Sequence, residues 1–271
     1  MRDSSGGSSG PAEGRSAGGF VPRPARGRRY THHRRVRVSD AGPDGALRLD
    51  SLARYLQDVA TDDWADAGLS PDEIWVVRRT TVQVAGGGRW PALGEDVDLT
   101  TWCGGTGPAW AERRTDLEVN GVPIIETVAL WVPLDGGGRP LRLGPEFHDV
   151  YGEAAGGRRA SGRVPVAPSL TGVAGVTGRP WPIRRADIDI VGHVNNAAVW
   201  AAVTEVTGGP VASAALTHHG PLENGHTVTL LAGPGRMCLM TDDEVRVSAE
   251  WSLSRASPPL GPNVGSCISV S

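Results

Sequence analysis

The chain has 271 residues, 39% apolar and 21% charged, with a formal net charge of −3, which is ordinary globular composition and room for one large domain or two small ones. All 27 basic residues are arginine, which excludes chemistry that needs a lysine amine, such as Schiff bases or pyridoxal phosphate attachment, while phosphate recognition stays open to guanidinium groups. No run approaches the roughly 18 apolar residues of a membrane helix, the amino terminus lacks the apolar core of a secretory signal, and Cys103, Cys238 and Cys267 show no CxxC spacing, so a reducing cytoplasm is expected and neither a disulfide framework nor a metal site is.

Residues 1–28 are dominated by Gly, Ser, Pro and Arg, with only Phe20 and Val21 able to feed a core, and they read as a disordered leader. Its arginines could meet an acidic partner, but a solvated tail accounts for them and no nucleic-acid partner is expected. Order is expected from Tyr30, with Val36 and Val38 on one side of a strand and AGPDG as a turn. Leu49, Leu52, Leu56, Val59 and Ala67 then recur at three- and four-residue steps, one stripe of an amphipathic helix that Asp50 or Ser51 could cap and Gly68 could end. Beyond it the period changes to two. WVVRRTTVQVA, EDVDLTTW, AWAERRTDLEV and PIIETVALWVPLD read as strands separated by glycine-rich turns, completing a unit over 29–152.

Residues 153–178 show no sustained period and read as a linker with room for one short strand. The order then repeats over 179–251. RPWPIRRADIDI reads as a strand entering a turn, HVNNAAVWAAVTEV as a short helix, and VTLLA, RMCLM and EVRVSAEW as strands. Residues 252–271 read as a disordered tail. Two copies of strand, helix and strands make an α+β fold in which each half wraps an antiparallel sheet around a helix.

The chemistry concentrates in Arg185–Asn196, RADIDIVGHVNN. Gly192 lets a ligand approach the backbone closely. The first N–H groups of the following helix lack intrahelical acceptors and can bind a carbonyl oxygen as charge develops on it. Asp189 and His193, four residues apart, could serve as base or nucleophile and as acid or orienting partner. The same residues, with Asp187 and Asn195, could instead do no more than cap turns.

DIDIVGHVNN resembles the D-x-D-x-x-G-H-V-N-N signature of hotdog-fold thioesterases. With VSDAGPDGALRLDSLARYLQDVATDDW, WVVRRT and TTWCGGTGPAWAERRTDLEVNGVPIIETVALWVPLD, the chain resembles an actinobacterial acyl-[acyl-carrier-protein] thioesterase, a family related to the plant fatty acyl-carrier thioesterases. The resemblance implies a tandem (double) hotdog and hydrolysis of long-chain acyl thioesters of acyl carrier protein or coenzyme A, without a cofactor. It places Asp189 at the family acid, His193 at the imidazole and Asn195 beside them as a third catalytic residue, with Gly192 on the substrate. Val191 stands where the plant relatives carry an amide, and Thr217 falls near a further family acid. Glu205 matches a family glutamate, and Gln57 and Asp58, on the helix that faces substrate, are expected to approach the thioester.

Two other readings stay open: an acyl-binding hotdog protein without turnover, and a hotdog hydratase, against which the motif context argues. An acyl slot could be lined by Trp64, Trp75, Trp102, Trp110, Trp131 and Trp200. The pairs Arg78-Arg79, Arg113-Arg114 and Arg184-Arg185 should each send at least one member to solvent, where an acidic carrier could dock. Either a pseudo-twofold monomer or a homodimer is compatible with two halves in one chain.

Overall fold

The computed structural model describes residues 19–70, 73–86 and 88–254, so the leader over 1–18, the tail over 255–271 and Cys267 lie outside the described residues. The first half comprises β1 (Tyr30–Arg35), α1 (Leu49–Asp66), β2 (Ile74–Val84), β3 (Asp96–Thr106), β4 (Ala111–Val119) and β5 (Val122–Leu134). A further helix, α2 (Pro145–Ala155), follows. The second half comprises β6 (Thr177–Pro180), α3 (Asn196–Thr207), β7 (Val211–His218), β8 (Thr229–Gly233), β9 (Arg236–Thr241) and β10 (Glu244–Leu253).

These strands form one antiparallel sheet in the order β1-β3-β4-β5-β2-β7-β10-β9-β8-β6. The order is the same from either edge once β6 to β10 are set against β1 to β5 as β6/β1, β7/β2, β8/β3, β9/β4 and β10/β5. β2 and β7 join at the centre, with Thr80 opposite Leu216. α1 and α3 pack side by side on one face. Leu49, Leu52, Tyr55 and Val59 of α1 and Val199, Trp200 and Val203 of α3 share the main core with Leu99, Leu117, Ile125, Leu216, Leu239 and Val247 of the sheet.

Local details depart from the sequence expectations for identifiable reasons. β1 ends at Arg35, and Val38 opens a 3-10 turn over Val38–Asp40 that swings the chain toward α1. Val36 is therefore buried while Val38 is exposed, and the two do not share a strand face. Neither Asp50 nor Ser51 caps α1. Arg48 occupies the cap position, and Asp50 accepts from Arg48 at 2.9 Å and Arg54 at 2.8 Å. Burial opposes charge on Asp50, but these two guanidinium groups hold its carboxyl below the usual range. Gly68, at φ +67°, does follow the end of the helix.

α2 was not expected. Phe147, Tyr151, Ala154 and Ala155 are its buried stripe, Pro145 sits in its first turn, and Gly156 ends it in the left-handed region at φ +56°. The segment read as linker therefore begins inside a helix and ends inside β6.

Residues 19–28, read as part of the leader, are packed. Phe20 lies against the Arg114 guanidinium at 4.4 Å, Arg23 bonds Glu118 and stands 5.8 Å from the Trp102 ring, and Arg28 bonds Asp63 and Asp66 on α1. Beneath this strap Arg114 is fully buried beside Asp116 at 3.3 Å and Glu126 at 3.6 Å. Its neighbour Arg113 is also enclosed, bonded to Asp63 at 2.6 Å. The pair splits between faces, but neither member reaches solvent freely, contrary to expectation.

Candidate active site

The loop from Asp187 to Asn195 is built by backbone bonds. The Asp189 N–H donates to the His193 carbonyl at 2.9 Å, and the Gly192 N–H donates to the Asp189 carbonyl at 3.0 Å. Gly192 has φ +85°, a conformation glycine takes without strain. The Val194 N–H donates to the Leu222 carbonyl at 2.7 Å and the Asn195 N–H to the Asp187 carbonyl at 2.8 Å, which fixes the loop against the chain that follows β7.

Side chains complete the site. Asp187 is buried and accepts from the Arg184 N–H and guanidinium, a purely structural role. Asp189 Oδ1 accepts the Val191 N–H at 2.9 Å, and its Oδ2 faces Asn195 Nδ2 at 3.4 Å. Asn195 caps α3 by accepting the Ala197 N–H at 2.9 Å. It thus ties the Asp189 carboxylate to the helix start. His193 Nε2 lies 3.9 Å from Glu223 Oε1, and both side chains are about half exposed.

The first half contains the same loop without the chemistry. The Gly42 N–H donates to the Ala46 carbonyl, the Gly45 N–H to the Gly42 carbonyl and the Arg48 N–H to the Asp40 carbonyl, and Gly45 has φ +76°. Bond for bond, Gly42, Ala46 and Arg48 stand where Asp189, His193 and Asn195 stand.

A channel of about 30 Å³ opens at the first turn of α3. Asn196, Ala197 and Trp200 line it from α3, and Ala53, Leu56 and Gln57 from α1. Its floor is β2, β4 and β5, through Thr80, Arg113, Thr115, Thr127, Ala129 and Trp131. The volume matches about one water rather than an acyl chain.

Of the residues singled out in the sequence, the loop unites Asp189, Gly192, His193 and Asn195, and Gln57 reaches the channel. Asp58 does not, because its carboxylate is bonded to Arg34 of β1. Glu205 is exposed and absent from the channel lining, nine residues along α3 from Asn196, about 13 Å at helical rise. Thr217 is buried beside Arg79 and supplies no acid. Glu223 is the carboxylate that faces His193, and Asn196 lines the channel; neither was singled out. The Glu223 contact joins two loops through tertiary structure, so no local pattern signals it.

Trp131 and Trp200 line the channel. Trp64 and Trp75 instead pack with Phe147 and Tyr151 around α2, Trp102 lies under the strap, and Trp110 donates to the Ala160 carbonyl. Burial pushes the Cys103 and Cys238 thiols up to about 11, so neither is a thiolate nucleophile near neutrality. Among the described residues no group of three His, Cys, Asp or Glu side chains is placed to hold a metal ion.

Residues 27–151 match the family model of the acyl-ACP thioesterase N-terminal domain. An uncharacterized protein of Mycobacterium tuberculosis is 31% identical over 243 residues, covering 85% of this chain and 94% of its own length. Two solved structures share the fold. A Lactobacillus plantarum protein provisionally assigned as an oleoyl thioesterase superposes with a TM-score of 0.72 at 19% identity, over 85% of this chain and 98% of its own. The 12:0-ACP thioesterase of Umbellularia californica gives 0.67 at 18% identity, over 83% and 96%. At these identities the structures speak to the fold alone, a hotdog type, while the family match and the relative that spans most of the chain decide membership. The chain belongs to the acyl-ACP thioesterase family, a family of thioester hydrolases.

Proposed function

We propose that the protein is a tandem hotdog that hydrolyses long-chain acyl thioesters, of acyl carrier protein or coenzyme A, to free fatty acid and thiol. The observation that carries this reading is the pair of loops superimposable in their backbone bonds. The second-half loop carries an acid, an imidazole and an amide where the first carries Gly42, Ala46 and Arg48, and the channel opens beside the chemically equipped loop, at Asn196.

In the proposed mechanism the thioester carbonyl lies at the start of α3. The Gly192 N–H is spent on the Asp189 carbonyl, so the donors assigned to the oxyanion are the N–H groups of His193 and Asn196. One such donor is worth roughly 3–4 kcal/mol in a preorganised site. Asp189, held by Asn195, either takes a proton from the attacking water or attacks the carbonyl itself. In the first variant the water oxygen adds to the acyl carbon and the C–S bond breaks; in the second Asp189 displaces the sulfur to give an acyl–aspartyl anhydride, which water then opens at the acyl carbon, releasing the fatty acid and freeing Asp189. In both, His193, oriented by Glu223, delivers a proton to the departing sulfur and regains one from the water consumed. Val191 presents no amide here, and the side chain bridging to Asp189 is that of Asn195. This fit favours turnover over mere acyl binding. The acyl chain lies between α1 and α3 over the floor of the first half.

No helix among the described residues is long and apolar enough to cross a membrane. The two described cysteines are free and buried, which suits a reducing compartment, and we place the reaction in the cytoplasm. The pairing of both halves within one sheet supports a pseudo-twofold monomer.

The test is thiol release from a panel of acyl-ACP and acyl-CoA substrates by the wild type, Asp189→Ala and His193→Ala, each checked for native circular dichroism. Loss of about 10²-fold or more in kcat/KM in both variants is expected for acid–base groups. Unchanged hydrolysis in both would overturn the assignment.

A further inference from the structure

We infer that the acyl chain accepted by this channel carries a hydroxyl group. The inference rests on the proposed thioester-hydrolase reading and specifies its substrate class.

Pockets for plain alkyl chains are lined predominantly by apolar side chains. This one is apolar on most of its lining, but its floor adds the hydroxyls of Thr80, Thr115 and Thr127 and the Arg113 cation. Thr101, Thr115 and Thr127 stand opposite one another across β3, β4 and β5. Arg113 and Thr80 flank Ala129 in the next row. The fold does not require polar residues there. At the corresponding positions of the second half, matched through the β-bulges and the positive-φ turn that both halves share, the first row is Ala232, Met237 and Ala249, and the second is Gly235, Trp251 and Ala214. The same sheet geometry is thus filled with apolar residues in one half and with hydroxyls in the other.

Most of the floor's polar groups bond one another. Thr127 donates to the Thr115 carbonyl at 2.9 Å, Thr101 to the Arg114 carbonyl at 2.8 Å, and Arg113 to Asp63. Two atoms are left over. Gln57 Oε1, an acceptor, and Trp131 Nε1, a donor, are buried without a hydrogen-bond partner among the described residues, and both residues line the channel. At the second-half position equivalent to Gln57 stands Thr204, whose hydroxyl is satisfied by the Trp200 carbonyl.

Buried polar groups left unpaired are costly and are normally retained for a partner. One orphan needs a donor and the other an acceptor. A hydroxyl is the smallest group that supplies both. A chain bearing it enters at a gain, whereas a plain alkyl chain buries both atoms unpaired, the situation in which sites built for a hydroxyl reject the analogue lacking it.

The experiment compares matched acyl thioesters of one length, unsubstituted or hydroxylated at successive carbons, by kcat/KM. In parallel, calorimetry gives the affinities of the corresponding free acids for the full-length protein. At least one hydroxyl position should be preferred about tenfold or more. Gln57→Leu and Trp131→Phe should each bring that ratio to within about twofold of unity, a readout that does not depend on the fraction folded. Equal use of hydroxylated and plain chains, or a preference that survives both substitutions, would overturn the inference and assign the two orphans to bound water. Absence of hydrolysis with a retained affinity ratio would sink the hydrolase reading and leave this one standing. Hydrolysis with no ratio in either measurement would do the reverse.

Discussion

Across β3, β4 and β5 runs a row of threonines, and across β8, β9 and β10, at the positions related by the pseudo-twofold, runs a row of Ala232, Met237 and Ala249. Met237 is fully buried, worth roughly 1.5–3 kcal/mol of burial free energy. The loops show the opposite asymmetry: the half with the apolar floor carries Asp189, His193 and Asn195, and the half with the polar floor carries Gly42, Ala46 and Arg48. The two halves are thus complementary: the second is polar in its loop and apolar in its floor, and the first is polar in its floor and carries no acid or imidazole at the matched positions of its loop.

The polar floor depends on charge compensation, and the largest expected effect comes from removing it. Asp63 on α1 accepts from Arg113, from Arg28 at 2.7 Å and from the Tyr151 hydroxyl at 2.9 Å, and it is 1% exposed. Burial disfavours charge on Arg113, but Asp63 and Tyr151 more than offset it and raise its pKa; burial likewise pushes the Tyr151 hydroxyl up to about 12. Asp63→Leu should cost about 3–5 kcal/mol, because it strands buried guanidinium charge. Adding Arg113→Met, which removes the guanidinium left unpaired, should recover much of that loss. Denaturant midpoints of the two singles and the double measure the coupling. Simple additivity would show that the floor's charge is not paired as described.

One polar side chain interrupts the neighbouring apolar row of Leu230, Leu239 and Val247, whose first-half counterparts are Leu99, Leu117 and Ile125. His218 faces Val247 across the strands, where the first half has Val84 facing Ile125. Burial, with Arg78 and His219 adding like charge, lowers its pKa to about 4 from the ordinary 6.5. The unfolded chain therefore takes up a proton below about pH 6.5 that the folded chain refuses until about pH 4. Stability is full above that window and falls as the pH drops through it, by up to about 3 kcal/mol, less what the partly accessible ring regains from solvent. His218→Val, copying Val84, should flatten this part of the profile. Urea midpoints at pH 7 and pH 4.5 for both proteins give the comparison, and an identical pH loss in the variant would remove His218 as its source.

Much of this was legible in the sequence. The alternation of Val97 and Leu99, the stripe through Leu52 and Val59, and the repeat of strand, helix and strands all follow from side-chain period, which burial enforces directly. The motif loop was legible because glycine and amide positions are local requirements of a turn. What escaped depends on pairing across the fold. α2 has a short stripe between glycines and is held by Trp64, Trp75 and Asp63 from elsewhere. The strap is ordered by Arg114, an internal charge that pattern alone assigns to solvent. Glu223 meets His193 only after β7 is placed. Gln57 was found by its helix face and Asp58 was misplaced by the same logic, because adjacent residues on a helix point about 100° apart and only the channel decides between them.

The smallest effect concerns docking, where the absence of lysine leaves arginine as the only side-chain cation. Of the three arginine pairs, Arg113 and Arg114 are enclosed, Arg79 bonds Glu250 at 3.1 Å, and Arg184 bonds Asp187 at 2.7 Å. Arg185 is exposed beside the motif loop, and no ion pair engages it among the described residues. Ile190, fully exposed at the loop tip, stands near it in sequence. The equivalent loop of the first half offers Asp44, with the exposed Arg37 at the position of Arg184. If the two loops differ in docking as they do in chemistry, Arg185→Ala should raise KM for a carrier-linked substrate by about threefold to fivefold, the scale of a single exposed charge contact. Its effect should fade as salt is raised and be absent with a small thioester that needs no docking. A loss equal for both substrates, or one insensitive to salt, would place Arg185 in the framework of the loop rather than on its docking face.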